Sequence, residues 1–206
     1  MKRLLLVFLI LGYGNLAAQK QLRKTILNDR TTSVIINSEN CYQISLETIK
    51  GTELRVEAAI EGEYSKDLVI KLEEQGTSIL VSAGFQPGFL FPNDKLSAHK
   101  VISISLHIHI PEFKQVKVYG TNTNVQAKGN YSDLSITLDD GECRITNVGE
   151  NVDVVTQKGN IWLNAISGIV QANSAYGQVF PSPIPTGDNR YVLNTKEGNI
   201  YLSNTK

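Results

Sequence analysis

The sequence predicts an all-β fold, built as a β-solenoid with rungs of about 18 residues, and three observations carry that expectation. One short pattern recurs five times: VKVYGTNTNVQA, LSITLDDGECRI, VDVVTQKGNIWL, VQANSAYGQVFP and YVLNTKEGNIYL start at Val116, Leu134, Val152, Val170 and Tyr191. The starts are spaced 18, 18, 18 and 21, the last step carrying an excess around the prolines of PSPIP at 181–185. Within each copy apolar and polar residues alternate with strand period, and no window of any length shows a helical period. Gly141, Gly159, Gly177 and Gly198 share the eighth position as a turn, and only the first copy departs from it, with Thr123.

Taken in order, the chain opens with a segment outside the fold. Lys2 and Arg3, an apolar run from Leu4 to Leu11 and a small-residue exit read as a signal peptide spanning 1–18, too short to stay as a membrane span. No other apolar run is long enough to span. No cysteine lies near the cleavage point, so no lipid anchor is expected. Removing Lys2 and Arg3 leaves 18 basic against 20 acidic residues, a net charge near −2, and neither a basic face for nucleic acid nor an acidic tail is present.

Residues 19–206 then read as a single domain, with irregular rungs to about 115 and regular repeats over 116–206. After a polar lead-in to Asp29, strands are expected at Ser33–Asn37, around Tyr42, Ile44 and Leu46, at Leu54 to Ile60, at Leu68 to Leu72, and at Ile79 to Val81. Gly51, Gly62 and Gly76 break these runs. A connection near 84–100 holds Phe85, Phe89, Leu90 and Phe91 among prolines and glycines. It is read as a cap packing over an open end, with Phe85, Phe89 and Phe91 as an alternative contact surface. Alternation returns over 101–110, where Ile102, Ile104, Leu106, Ile108 and Ile110 take one face and Ser103, Ser105, His107 and His109 the other.

In the repeats the first, third, tenth and twelfth positions are apolar and expected inward, joined at the fifteenth by Val148, Ile166 and Ile184. Equivalent residues of successive rungs should stack about 4.8 Å apart, as parallel strands do. Cys143 occupies the tenth, inward position beside Val125, Ile161, Val179 and Ile200, so Cys41 and Cys143 are expected as two unpaired, buried thiols.

The outward eleventh position reads Gln126, Arg144, Trp162, Phe180, Tyr201. Aromatics on consecutive rungs would form a ladder, suited to a sugar ring or partner surface, or else stacked on itself to stiffen the sheet. The ninth position gives a polar row, Asn124, Glu142, Asn160, Gln178 and Asn199, read as structural hydrogen bonding at the turns. His107 and His109 point the right way for two metal ligands, but no third ligand has a diagnostic spacing, so no metal and no cofactor are expected. Asp139, Asp140 and Arg144 are the charged candidates for an alternative reading, a carbohydrate-active enzyme on a β-helix groove. No phosphate loop, nucleophile elbow or zinc-protease motif is present.

The passage VISISLHIHIPEFKQVKVYG, the turn units TLDDGECRI, TQKGNIWL and NTKEGNIYL, and the leader resemble a family of exported bacterial proteins common in Bacteroidota, the "putative adhesins" with β-strand repeats. The resemblance spans about Ser33 to Asn204. It implies a right-handed β-solenoid and an envelope or surface location, and carries no catalytic residues. The expected function is a non-enzymatic binding or adhesion module, in the periplasm, on the surface or secreted. Its site would be Arg144, Trp162, Phe180 and Tyr201, and its partner a glycan or an envelope or surface protein. A purely structural envelope scaffold is the alternative.

Overall fold

The computed structural model describes residues 19–62, 65–89 and 102–205; the expected leader and Leu90–Lys100 of the connecting segment lie outside them. The described chain is all-β, with a 3-10 turn at Ser65–Asp67 and no α-helix among the described residues. Strands β1 (Gln19–Ile26), β2 (Ser33–Asn37), β3 (Cys41–Ile49) and β4 (Glu53–Gly62) are separated by short breaks. Asn40 and Gly51 turn the chain there through positive φ of 67° and 112°. β5 (Leu68–Gln75) and β6 (Ser78–Phe85) form an antiparallel hairpin around Gly76. Next come β7 (Ile102–Pro111), β8 (Gln115–Asn122), β9 (Asn124–Asp140), β10 (Cys143–Thr156) and β11 (Ile161–Ala165). β12 (Ile169–Ser174), β13 (Val179–Phe180), β14 (Arg190–Thr195) and β15 (Ile200–Asn204) complete the chain.

β9 and β10 are long because each rounds a corner, where Gly129, Asn147 and Glu150 adopt positive φ and the register slips between Thr146 and Val148 and between Gly149 and Asn151. Each therefore belongs to two faces. One face runs β1-β4-β7-β3-β9-β10-β11-β15-β13; the other runs β5-β6-β2-β8-β9-β10-β14-β12. Their inward columns join in one core that includes Val116, Leu134, Ile136, Val152, Val125, Cys143, Ile161 and Leu163. Cys41 and Cys143 are both free and buried, and burial pushes each thiol up to about 12.

From β8 to β11 successive copies of the repeat pair in parallel. Val116 pairs with Leu134, Leu134 with Val152, and Cys143 with both Val125 and Ile161, all in parallel at offsets of 18 residues. Beyond Val152, spatial order departs from chain order. Tyr191 pairs with Val152 on one side and Val170 on the other, while Ile200 sits between Ile161 and Val179. The last rung is thus inserted between the third and fourth copies. At the opposite end β2 lies between β6 and β8, and β3 between β7 and β9.

The insertion has a hydrophobic reason. The 191–202 copy offers Tyr191, Leu193, Ile200 and Leu202 to the core, whereas the 170–181 copy offers Val170, Ala172 and Val179. Placing the larger set between two neighbours removes more apolar area from water. Tyr191, Leu193 and Ile200 are accordingly buried, while Val170, Ala172 and Val179 are only partly so. The 21-residue step supplies chain to pass around the outer rung. Its prolines at 181, 183 and 185 carry no N–H, so they cannot template a further strand.

Three inward assignments change, one of them Pro181, which stands at the twelfth position yet is exposed. Ile166 is 60% exposed although Val148, its counterpart one rung earlier, is buried. The Tyr191 ring fills this corner: its hydroxyl donates to the Val148 carbonyl at 2.6 Å, and a Cβ on Gly168 would lie 2.5 Å from the ring. Tyr42, in phase with Ile44 and Leu46, is 48% exposed, because a bulge between Cys41 and Gln43 turns Cys41 inward instead. At the β1/β5 end the two faces are tied by one side chain. The Gln21 amide donates to the Leu68 carbonyl at 2.6 Å and accepts from the Ile70 N–H at 3.1 Å, occupying backbone groups of an edge strand.

Candidate functional site

The turns that carry the eleventh position are held rung to rung by glycine and asparagine. A Cβ on Gly159 would lie 1.7 Å from the Gly141 carbonyl oxygen, one on Gly198 2.1 Å from that of Gly159, and one on Gly177 2.0 Å from that of Gly198. Only glycine allows the turns to approach this closely. Thr123 differs because its neighbour is another kind of turn: its hydroxyl donates to the Cys41 carbonyl at 2.8 Å and lies 2.9 Å from the Ser38 hydroxyl. The ninth-position row is structural, as expected. The Asn124, Asn160 and Asn199 side-chain oxygens accept from the backbone N–H of Glu142, Asn199 and Gln178 at 2.7–2.8 Å.

Beside that row the outward strip is assembled in the order Arg144, Trp162, Tyr201, Phe180, so that Tyr201 stands between the other two aromatics. The Arg144 guanidinium lies 4.0 Å from the centre of the Trp162 ring and pairs with Glu142 at 2.7 Å. Trp162 and Tyr201 stack at 5.2 Å and 14°, and Tyr201 and Phe180 at 4.8 Å and 2°. The rings therefore use most of their faces on one another. Phe180, on the outermost strand and 43% exposed, keeps the face that Tyr201 does not cover. Next to Arg144 a depression of about 440 Å³, lined by Gln126, Lys128, Thr146, Glu47 and His107, continues the same face.

The other candidates fall elsewhere. Asp140 accepts from the Gly141 N–H at 2.6 Å, a local turn bond, and Arg144 is engaged by Glu142 and Trp162. Phe85 packs against the core and stacks on Phe89 at 4.3 Å and 9°, whereas Phe91 lies outside the described residues. His107 and His109 sit side by side on β7, ring centres 4.3 Å apart. The parallel register brings Glu47 of β3 directly opposite His109, and one ligand atom from each of the three lies within 4.8 Å of the others. Sequence reading missed Glu47, which is 60 residues from His107; only the strand pairing places it there.

No family model and no curated protein sequence matches the chain. A solved structure does share its fold. A "putative cell adhesion protein" from Clostridium sporogenes ATCC 15579 aligns with 91% of this chain and 100% of its own at 12% identity, with a TM-score of 0.57. A "putative adhesin" from Bacteroides fragilis NCTC 9343 aligns over 91% of this chain and 97% of its own at 11% identity, with a TM-score of 0.37. At this identity, the likeness to the Clostridium sporogenes protein is one of fold.

Proposed function

We propose that this protein is an exported, non-catalytic binding or adhesion module of the cell envelope or surface. Its contact surface is the Arg144–Trp162–Tyr201–Phe180 strip together with the adjoining depression. The observation that carries the reading is the strip itself: three stacked aromatic rings, flanked by a guanidinium, on the outward side of the sheet. Such a strip offers apolar area at low entropic cost, with Arg144 and Lys128 beside it as hydrogen-bond donors, a combination that suits a glycan. The carrier in this reading is a right-handed β-solenoid with rungs of about 18 residues, supported by the 18-residue parallel registers between Val116 and Val152. The fold likeness to a protein named as a "putative cell adhesion protein" points the same way.

A glycan and envelope-polysaccharide array on the chain without residues 1–18 tests this, beside Phe180→Ala and Trp162→Ala/Tyr201→Ala variants checked for folding by circular dichroism. Binding lost in folded variants, with Trp162 fluorescence responding to the glycan in the parent, is the expected result. Trp162 is the sole tryptophan, so its signal reports this strip. No binding by the parent overturns the reading. The face-to-face stacking of the rings would then make the ladder a stiffener of the sheet, as in the scaffold alternative.

A further inference from the structure

We infer that Glu47, His107 and His109 form a binding site for one divalent transition-metal ion, Zn²⁺ by donor type, with an open coordination position toward solvent. The site uses none of the aromatic strip and does not rest on the function proposed above, although Glu47 and His107 also line the depression that adjoins the strip.

Strand geometry builds the donor set. His107 and His109 are two residues apart on β7, so both imidazoles leave the same face, and Glu47 is the cross-strand partner of His109 on β3. The Glu47 carboxylate is 4.0 Å from the His107 Nε2, and one ligand atom from each side chain lies within 4.8 Å of the other two. Ligands at about 2.0–2.1 Å from a tetrahedral Zn²⁺ sit roughly 3.4 Å apart, so rotamer adjustments on the order of an ångström close the set. Two imidazole nitrogens and one carboxylate suit zinc rather than calcium or magnesium, which prefer oxygen. His107 and Glu47 are both nearly half exposed, which leaves the remaining position to water or to a donor from a ligand.

A second observation points to a missing partner. The His109 Nδ1 is buried and has no hydrogen-bond partner, a state that costs free energy until something engages the ring. Flanking cations oppose an ion here, yet each is already committed or weakly held. Arg55, across from His109, pairs with Glu53 at 2.9 Å. Lys128 meets Glu47 at 3.7 Å as an exposed pair, the kind worth little and readily displaced. Glu57, across from His107, adds negative charge on the other side.

The test is calorimetric titration of the whole chain with ZnCl₂, with the visible absorption of Co²⁺ as a second readout. One ion per chain is expected, with affinity falling about tenfold or more in His109→Ala and in Glu47→Gln. Glu47→Gln removes only an exposed charge, so folding is not at stake in that variant. Absence of saturable binding by the parent chain overturns the proposal. Affinity retained in a folded His107→Ala/His109→Ala chain overturns it equally.

Discussion

Two rungs written on one template, 170–181 and 191–202, meet opposite fates. The first is the outermost layer, half-buried and followed by prolines; the second lies between two neighbours with its apolar positions almost wholly covered. The chain passes the outer position first and fills the inner one afterwards. The difference teaches that a repeat specifies the shape of a layer but not its place in the stack. Place follows from how much apolar area each layer can bury, and from which layer can tolerate an open edge.

The largest expected contrast is at the turns. Gly198→Ala puts a Cβ 2.1 Å from the Gly159 carbonyl in a layer held on both sides, and is expected to cost about 3–5 kcal/mol in urea denaturation. Gly177→Ala makes a similar approach, yet its outermost strand is free to shift, so under about 2 kcal/mol is expected. Next in size, Leu193→Ala should cost about 2–5 kcal/mol, against about 1 kcal/mol for Val170→Ala. Equal costs for the two would sink the inserted order.

Tyr191→Phe removes the hydroxyl that serves the buried Val148 carbonyl and is expected to cost about 1–2 kcal/mol. A cost near zero would mean that this bond does not help hold the inserted layer at its corner. The smallest effect at neutral pH belongs to Cys143. Its thiol is raised by burial from 9.0 to about 12, so the folded chain keeps a proton that the unfolded chain releases. Stability from this group is complete below about pH 9 and is lost as pH rises toward about 12, by up to about 1.4 kcal/mol per pH unit. Cys143→Val, matching Val125 and Val179 in the same column, should leave stability at pH 7 within about 0.5 kcal/mol and make the alkaline decline shallower. An unchanged alkaline profile would remove Cys143 as a contributor.

The sequence by itself determined the layer. Strand alternation fixed which residues turn inward from Val34 to Ile200 at most positions, because the two-residue period of a strand leaves no other way to hide one face. The eighth-position glycines, the ninth-position asparagines and the buried Cys143 were legible because each is set by its own rung and the next. The identities in the aromatic strip were legible as well, since they share a column. Tertiary structure decided the rest. Tyr201 stands between Trp162 and Phe180, and Ile166 faces solvent, because the Tyr191 rung slid inward to bury its larger side chains. Glu47 meets His109 because β3 pairs with β7, a long-range choice between parallel strands that no local spacing encodes.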